Sequence, residues 1–111
     1  MERPELSISS RRTEADEAVL SLVGEIDMLT AGHLSAAVGL ALADAPSRVV
    51  LDMGGITFCD SQGLGTLVVL SRAASSARSV LVLTNVADFL MRVLDITGLR
   101  SALMIRNEAL R

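Results

Sequence analysis

Aromatic residues are nearly absent from this chain of 111 residues, which has two phenylalanines and neither tyrosine nor tryptophan. The sequence therefore lacks the aromatic platforms on which single-stranded nucleic acids stack. Its formal net charge of -3 also gives no electrostatic basis for attracting a phosphate backbone. We expect no nucleic-acid partner, and a core built from Leu, Val, Ile and Ala.

Lysine is missing altogether, since every basic residue is an arginine. This excludes Schiff-base chemistry and the phosphate-binding lysine of a P-loop. One cysteine cannot form an internal disulfide, and a single histidine, His33, offers neither a metal-ligand cluster nor a spacing typical of a base beside a nucleophilic serine. The sequence predicts no catalytic residue, metal site or cofactor, with Cys59 in the core and His33 at the surface.

No apolar run approaches the roughly 18 to 20 residues needed to cross a bilayer, and the first five residues contain no signal-peptide core. We therefore expect a cytoplasmic protein with no membrane insertion. Half of the residues are apolar and 21% are charged, which is typical of a globular chain. This composition and length predict one domain spanning residues 1–111.

Apolar periodicity predicts an α/β fold along the whole chain. Alternation in 6–9 and an apolar run in 18–24 predict an antiparallel hairpin. Beyond it, strands are expected at 49–53, 80–83 and 102–105, and helices at 31–43, at 61–77 and after Asn85, with a short helix possible in 107–111. Short links between alternating elements favour parallel strands. The prediction is a mixed β-sheet with an N-terminal antiparallel hairpin, β-α-β-α-β units and helices packed on the sheet.

Local signals predict where these elements begin and end. Gly54-Gly55 is expected to form a tight turn after the strand at 49–53. Thr30, Thr84 and Asn85 are expected to cap helices, and Gly98 to end one.

The candidate functional site lies where Asp60 and Ser61 open a helix just beyond a strand. Both side chains can cap a helix by accepting a hydrogen bond from an unpaired amide. Ser61 has a second interpretation, because a hydroxyl at a helix N-terminus can carry a phosphate whose charge the free amides and the helix dipole stabilise. The residues alone favour neither role.

Two glycines and three carboxylates near this serine also have two interpretations each. Gly63 and Gly65 permit either the close approach of a kinase or partner, or close packing of this helix against the next. Glu25, Asp27 and Asp52 end or interrupt strands, where carboxylates commonly cap turns or pair with arginine. The alternative is an acidic rim around Ser61.

Four blocks of the sequence resemble, in order, the motifs of the STAS domain of bacterial anti-sigma factor antagonists. LVGEID at 22–27, followed by Thr30-Ala31, resembles the first motif. VVLD at 49–52 and FCDSQGLG at 58–65 resemble the phosphorylation motif, and VLDITGL at 93–99 resembles the third motif. The resemblance covers nearly the whole chain. It implies a single small STAS domain in a regulator that is not an enzyme.

Members of that family bind an anti-sigma factor, often a serine kinase of the histidine-kinase-like ATPase type, and so release a sigma factor. The resemblance implies that this kinase phosphorylates Ser61, that the modified protein dissociates, and that a serine phosphatase restores it. The implied partner-binding residues are Glu25, Asp27, Asp60, Ser61, Gln62, Gly63, Leu64 and Gly65.

One position departs from the family pattern. Gln62 stands where these proteins commonly have serine or threonine, which leaves Ser61 as the sole acceptor in the motif. Other STAS domains are not phosphorylated and serve as stress-sensing scaffold pieces or transporter-associated subunits. Such an unphosphorylated interaction module is the alternative function.

Overall fold

A computed structural model describes residues 5–107 of the chain. In order, its elements are β1 (Leu6–Arg12), β2 (Glu17–Ile26), α1 (Ala31–Ala43), β3 (Arg48–Cys59), α2 (Ser61–Ser76), β4 (Leu81–Thr84), α3 (Asp88–Thr97), a 3-10 helix (Leu99–Ala102) and β5 (Met104–Ile105). The predicted order and types are confirmed. The last strand is shorter than predicted, because the 3-10 helix takes up Ala102. The expected helix at the end of the chain falls almost entirely on 108–111, outside the described residues.

The strands form one sheet in the order β1-β2-β3-β4-β5. β1 and β2 are antiparallel, and every later neighbouring pair is parallel, as the mixed-sheet prediction required. Crossovers between parallel strands are right-handed. Here each of the three crossovers places the next strand on the same side of the one before it. The three helices therefore lie on one face of the sheet.

Burial agrees with this one-sided arrangement. The main apolar cluster joins alternate strand residues, such as Leu20 and Leu51, to helix residues such as Leu34, Leu67 and Leu90. A separate row on the opposite face contains Val19, Val50 and Val82, which are register partners across β2, β3 and β4. Within residues 5–107, no helix combines the length and apolar character needed to cross a membrane.

The predicted turn at Gly54-Gly55 is wrong, because β3 runs through both glycines. Its register with β2 shifts there, from Ser21 opposite Asp52 to Val23 opposite Gly55, so β3 contains an extra residue, as in a β-bulge. A Cβ on Gly55 would lie 2.7 Å from the carbonyl oxygen of Leu22. The glycine therefore allows β2 to approach closely.

Thr30 is the N-cap residue of α1, as predicted, although its hydroxyl makes no capping bond to the helix. The predicted capping of α3 by Thr84 or Asn85 is wrong. The residue that caps α3 is Ala87, without a side-chain bond. Asn85 instead has a left-handed φ of 57° and donates from Nδ2 to Asp52 Oδ1 at 3.0 Å, while Thr84 belongs to β4. Gly98 ends α3 with a φ of 76°, as predicted.

Candidate functional site

The site lies at the edge of the sheet where β2 and β3 end. Ile26 and Cys59, the last residues of these strands, are register partners, and the Asp60 amide donates to the Ile26 carbonyl at 3.2 Å. The loop that follows β2 and the first turn of α2 therefore lie side by side.

Asp60 is the N-cap of α2. Its backbone is extended, with φ -91° and ψ -173°, and its Oδ1 accepts a hydrogen bond from the Gly63 amide at 2.8 Å. The first four amides at a helix N-terminus have no intrahelical acceptor. Here Ile26 and the Asp60 carboxylate accept from two of them. The amides of Ser61 and Gln62 have no acceptor among residues 5–107 and are left for a ligand or solvent.

Ser61 is the first residue of α2 and is exposed. Because the capping bond comes from Asp60, the interpretation of Ser61 as the cap is wrong. Within residues 5–107, no side chain or backbone group is hydrogen-bonded to its hydroxyl. The hydroxyl is therefore free to react, and an anion attached to it would lie beside two unpaired amides and the positive end of the helix dipole.

The two glycines of the first turns have different surroundings. Gly63 is buried, and a Cβ there would lie 2.4 Å from the Ile26 carbonyl oxygen and 2.8 Å from Cys59 Sγ. Its packing is against the end of β2 rather than against another helix. Gly65 is exposed, and a Cβ there would meet nothing within 4 Å. The missing side chain at Gly63 thus lets α2 pack against the sheet. The missing side chain at Gly65 leaves open space on the outer surface of α2.

A shallow groove continues this surface along α2 towards α1. It has a volume of about 310 Å³ and is lined by Ser35, Gln62, Gly65, Thr66 and Val69. Val69 is 61% exposed. Gln62 and Gly65 therefore lie in the same exposed concavity, while Leu64 is buried beneath it.

Asp27 fixes the loop between β2 and α1. Its Oδ1 accepts from the amides of Leu29 and Thr30 at 2.9 and 3.1 Å, and its own amide donates to Thr30 Oγ1 at 3.0 Å. The Thr30 hydroxyl in turn donates to the Glu25 carbonyl at 2.8 Å. Asp27 and Thr30 are both buried, so this carboxylate has a structural role and is not part of an open acidic rim.

The other two carboxylates differ from Asp27 and from each other. Asp52 accepts from the Gly54 amide and from Asn85, and so fixes the bulge in β3 to the loop after β4. Glu25 is half-buried near the end of β2, opposite Phe58. Glu25 therefore lies with Asp60 at the site edge, whereas the Asp52 carboxylate is engaged in the sheet.

Cys59 lies beside the site but is not activated. Burial raises the pKa of its thiol from 9.0 to about 12, and the nearby carboxylates of Asp60 and Asp27 add to the shift. The thiol is therefore neutral at physiological pH and is a poor nucleophile. The described part of the chain contains no group of three or more His, Cys, Asp or Glu side chains suited to a metal ion.

Met28 and Leu29 are features of the site that the sequence motifs did not indicate. Their side chains are 67% and 68% exposed, and they lie in the loop held by Asp27 and Thr30. The first buried residue of α1 is Leu34. Two large apolar residues that come before it, outside the helix, are a sequence signal that could have identified this exposed pair.

The chain is similar to known proteins over almost its full length. A sequence profile described as "Mlab, STAS domain" matches residues 9–106. The chain is 32% identical over 101 residues to an anti-sigma-B factor antagonist of Bacillus subtilis, covering 90% of each protein. It is 29% identical over 102 residues to an anti-sigma-B factor antagonist of Listeria monocytogenes, covering 92% of this chain and 90% of that protein.

A solved structure gives the same fold. The crystal structure of an anti-sigma factor antagonist from Mycobacterium paratuberculosis superimposes with a TM-score of 0.80 at 25% sequence identity, over 96% of this chain and 88% of that one. The sequence motifs, the mixed sheet with helices on one face, and these similarities agree. The chain belongs to the STAS domain family.

Proposed function

We propose that this chain is an anti-sigma factor antagonist whose binding is controlled by phosphorylation of Ser61. The observation that carries the proposal is the exposed hydroxyl of Ser61 at the start of α2. Neither this hydroxyl nor the two neighbouring amides have a hydrogen-bond partner in the described part of the chain. The names of the relatives in Bacillus and Listeria support the antagonist role. The unmodified chain binds an anti-sigma factor and thereby releases a sigma factor.

The binding surface in this proposal consists of the exposed groups around Ser61. Gln62 and Gly65 contact the partner directly, since both are exposed, and Glu25 and Asp60 lie at the margin. Gly63, Leu64 and Asp27 are buried. They act by holding the first turn of α2 and the neighbouring loop in the shape that the partner binds.

Phosphorylation changes the charge of this surface. A serine kinase of the histidine-kinase-like ATPase type transfers the γ-phosphoryl group of ATP to Ser61 Oγ, and ADP and the hydroxyl proton are released. The phosphate adds about -1.5 to -2 charges next to the Asp60 carboxylate. The free amides stabilise it in water, but a partner packed over the same helix end must desolvate it, so the complex dissociates. A serine phosphatase hydrolyses the phosphoserine and restores binding.

Intact-mass spectrometry of the protein purified from its own cells tests the modification. We expect a phosphatase-sensitive gain of about 80 Da, the net mass added when one phosphoryl group replaces the hydroxyl hydrogen, and fragmentation that places it on Ser61. Ser61→Ala should lose the mass gain. Ser76→Ala is the matched control, because Ser76 is an exposed serine at the other end of the same helix.

Binding to the purified anti-sigma factor kinase tests the switch. Ser61→Ala should bind whether or not ATP is present, and Ser61→Asp should bind poorly. Equal binding by both variants would remove the switch from this site. No phosphate under growth or stress conditions, together with a stable complex unaffected by substitution of Ser61, would favour the unphosphorylated interaction module.

A further inference from the structure

We propose that Met28 and Leu29 are the apolar anchors with which this chain holds its partner protein, and that the partner offers them an apolar pocket flanked by basic residues. The inference rests on the proposed function and specifies the chemistry of the partner. Met28 and Leu29 determine how tightly the partner binds, whereas phosphorylation of Ser61 determines when the complex dissociates.

The first argument is that these side chains are held outwards. Asp27 and Thr30, on either side of the pair, are 8% and 5% exposed and are bonded to each other and to the backbone. Met28 and Leu29 between them are about two-thirds exposed. Removing such a side chain from water is favourable in proportion to its apolar area, and this fold leaves most of that gain unused.

The second argument is that the loop is already ordered. Ala31 donates to the Asp27 carbonyl at 2.9 Å, and Leu29 donates to the Asp27 carboxylate at 2.9 Å. A partner therefore does not have to order this backbone when it binds, which reduces the entropic cost of association. Large apolar side chains on a fixed backbone are suited to act as interface anchors.

The third argument is position. The Ile26 carbonyl accepts from the Asp60 amide, and one residue further along each chain segment are Asp27 and Ser61. The loop with Met28 and Leu29 therefore borders the helix end that carries Ser61. Phe58, a further apolar residue that is 46% exposed, precedes this junction on β3.

The charge around the patch indicates the chemistry of the partner. Glu25, Asp60 and Asp88 lie at the edge of the sheet where the parallel strands end. Arg106 also lies at that edge, but it follows β5, three strands away from β2. Arginines at the opposite edge are paired with carboxylates, as in Arg12 with Asp16 and Arg48 with Glu17. An apolar patch with an acidic border is complementary to an apolar pocket with a basic border.

The test measures the affinity of the full chain for each purified kinase-type anti-sigma factor of its own bacterium, without ATP. The double variant Met28→Ser, Leu29→Ser should bind at least about 30-fold more weakly than the unsubstituted chain, the loss typical of hot-spot residues. Ile96→Ser is the matched control, because Ile96 is an 80% exposed apolar residue near the far end of α3. It should bind like the unsubstituted chain. For a basic partner, the association rate should also fall as salt rises.

The outcomes separate the two proposals. If the unsubstituted chain and Ser61→Ala bind none of the anti-sigma factors, the proposed function fails, and the anchors fail with it. If both bind and the Met28, Leu29 double variant binds equally well, only the anchor proposal is overturned. A chain that is dimeric without the partner, and monomeric in the double variant, would assign the patch to a second copy and also overturn it. Unchanged thermal unfolding of the double variant excludes misfolding as the cause of weak binding.

Discussion

Replacing Gly63 and Gly65 separately by alanine should change stability in opposite directions. Both residues lie in the first turns of α2, where alanine is favoured over glycine by up to about 1 kcal/mol. At Gly65 the added methyl group meets nothing within 4 Å. Gly65→Ala should therefore stabilise the protein by about 0.5–1 kcal/mol.

Gly63→Ala has the same helix-propensity gain but an obstructed Cβ. The methyl group would lie 2.4 Å from the Ile26 carbonyl oxygen and 2.8 Å from Cys59 Sγ. The Ile26 carbonyl is a backbone group that cannot rotate away, so α2 must move away from β2. Overpacking costs about 1–3 kcal/mol, and weakening the bond between Asp60 and Ile26 adds about 1 kcal/mol. After the propensity gain is subtracted, the net destabilisation is about 1–3 kcal/mol.

Urea unfolding followed by far-UV circular dichroism measures both changes. The free energies of unfolding of the two variants should differ by about 2–4 kcal/mol. In a thermal unfolding experiment this corresponds to a separation of about 10 °C or more in midpoint temperature for a chain of this size. Stabilisation of both variants by the same amount would refute the argument that Gly63 lets α2 dock on β2. Destabilisation of both would refute the argument that Gly65 faces open space.

Other predictions concern the cap, the thiol and the contact after β5. Asp60→Ala should lower the unfolding free energy by about 1 kcal/mol through loss of the bond to the Gly63 amide, while Asp60→Asn should retain most of it, as measured by urea unfolding. The pKa of Cys59 is about 12 in the folded state and 9.0 in the reference state. The contribution of the neutral thiol to the free energy of unfolding is therefore fully present below pH 9 and is lost as pH rises towards 12. Urea titrations at several pH values should therefore show the wild type losing stability relative to Cys59→Ala above pH 9, and an unchanged difference would contradict the raised pKa. Asn107 accepts from the Val86 amide and donates to the Val86 carbonyl, both at 2.8 Å. Asn107→Ala should therefore lower the free energy of unfolding by about 1–3 kcal/mol. Unchanged thermal unfolding of this variant would show that the two hydrogen bonds do not stabilise the fold.

Signals contained within a few residues predicted the fold well. The predicted bounds of α1, residues 31–43, are those observed, Asp60 was correctly placed at the start of α2, and Gly98 ended α3 as expected. Each of these features depends on neighbours three or four residues away, so the sequence carries the information locally.

Features that depend on distant partners were not predictable in the same way. Gly54-Gly55 has the composition of a turn, but its conformation is decided by β2 passing beside it. Asn85 could cap a helix, yet its amide is bonded to Asp52, 33 residues earlier. The different roles of Gly63 and Gly65 likewise depend on whether the end of β2 lies opposite each one.

The sequential strand order has a consequence for how the chain folds. Each of the strands β2 to β5 pairs with the strand that precedes it, so none has to insert between two strands already joined. The sheet can grow at one edge in the order in which the ribosome releases the chain. The first pairing closes a hairpin, and each later one closes a single β-α-β unit. Loop closures of this length keep the entropic barrier to each step small. The site around Ser61 combines the end of β2, which is synthesised early, with the first turn of α2, which is synthesised later. The site is therefore complete only when α2 has packed and Asp60 has bonded to Ile26.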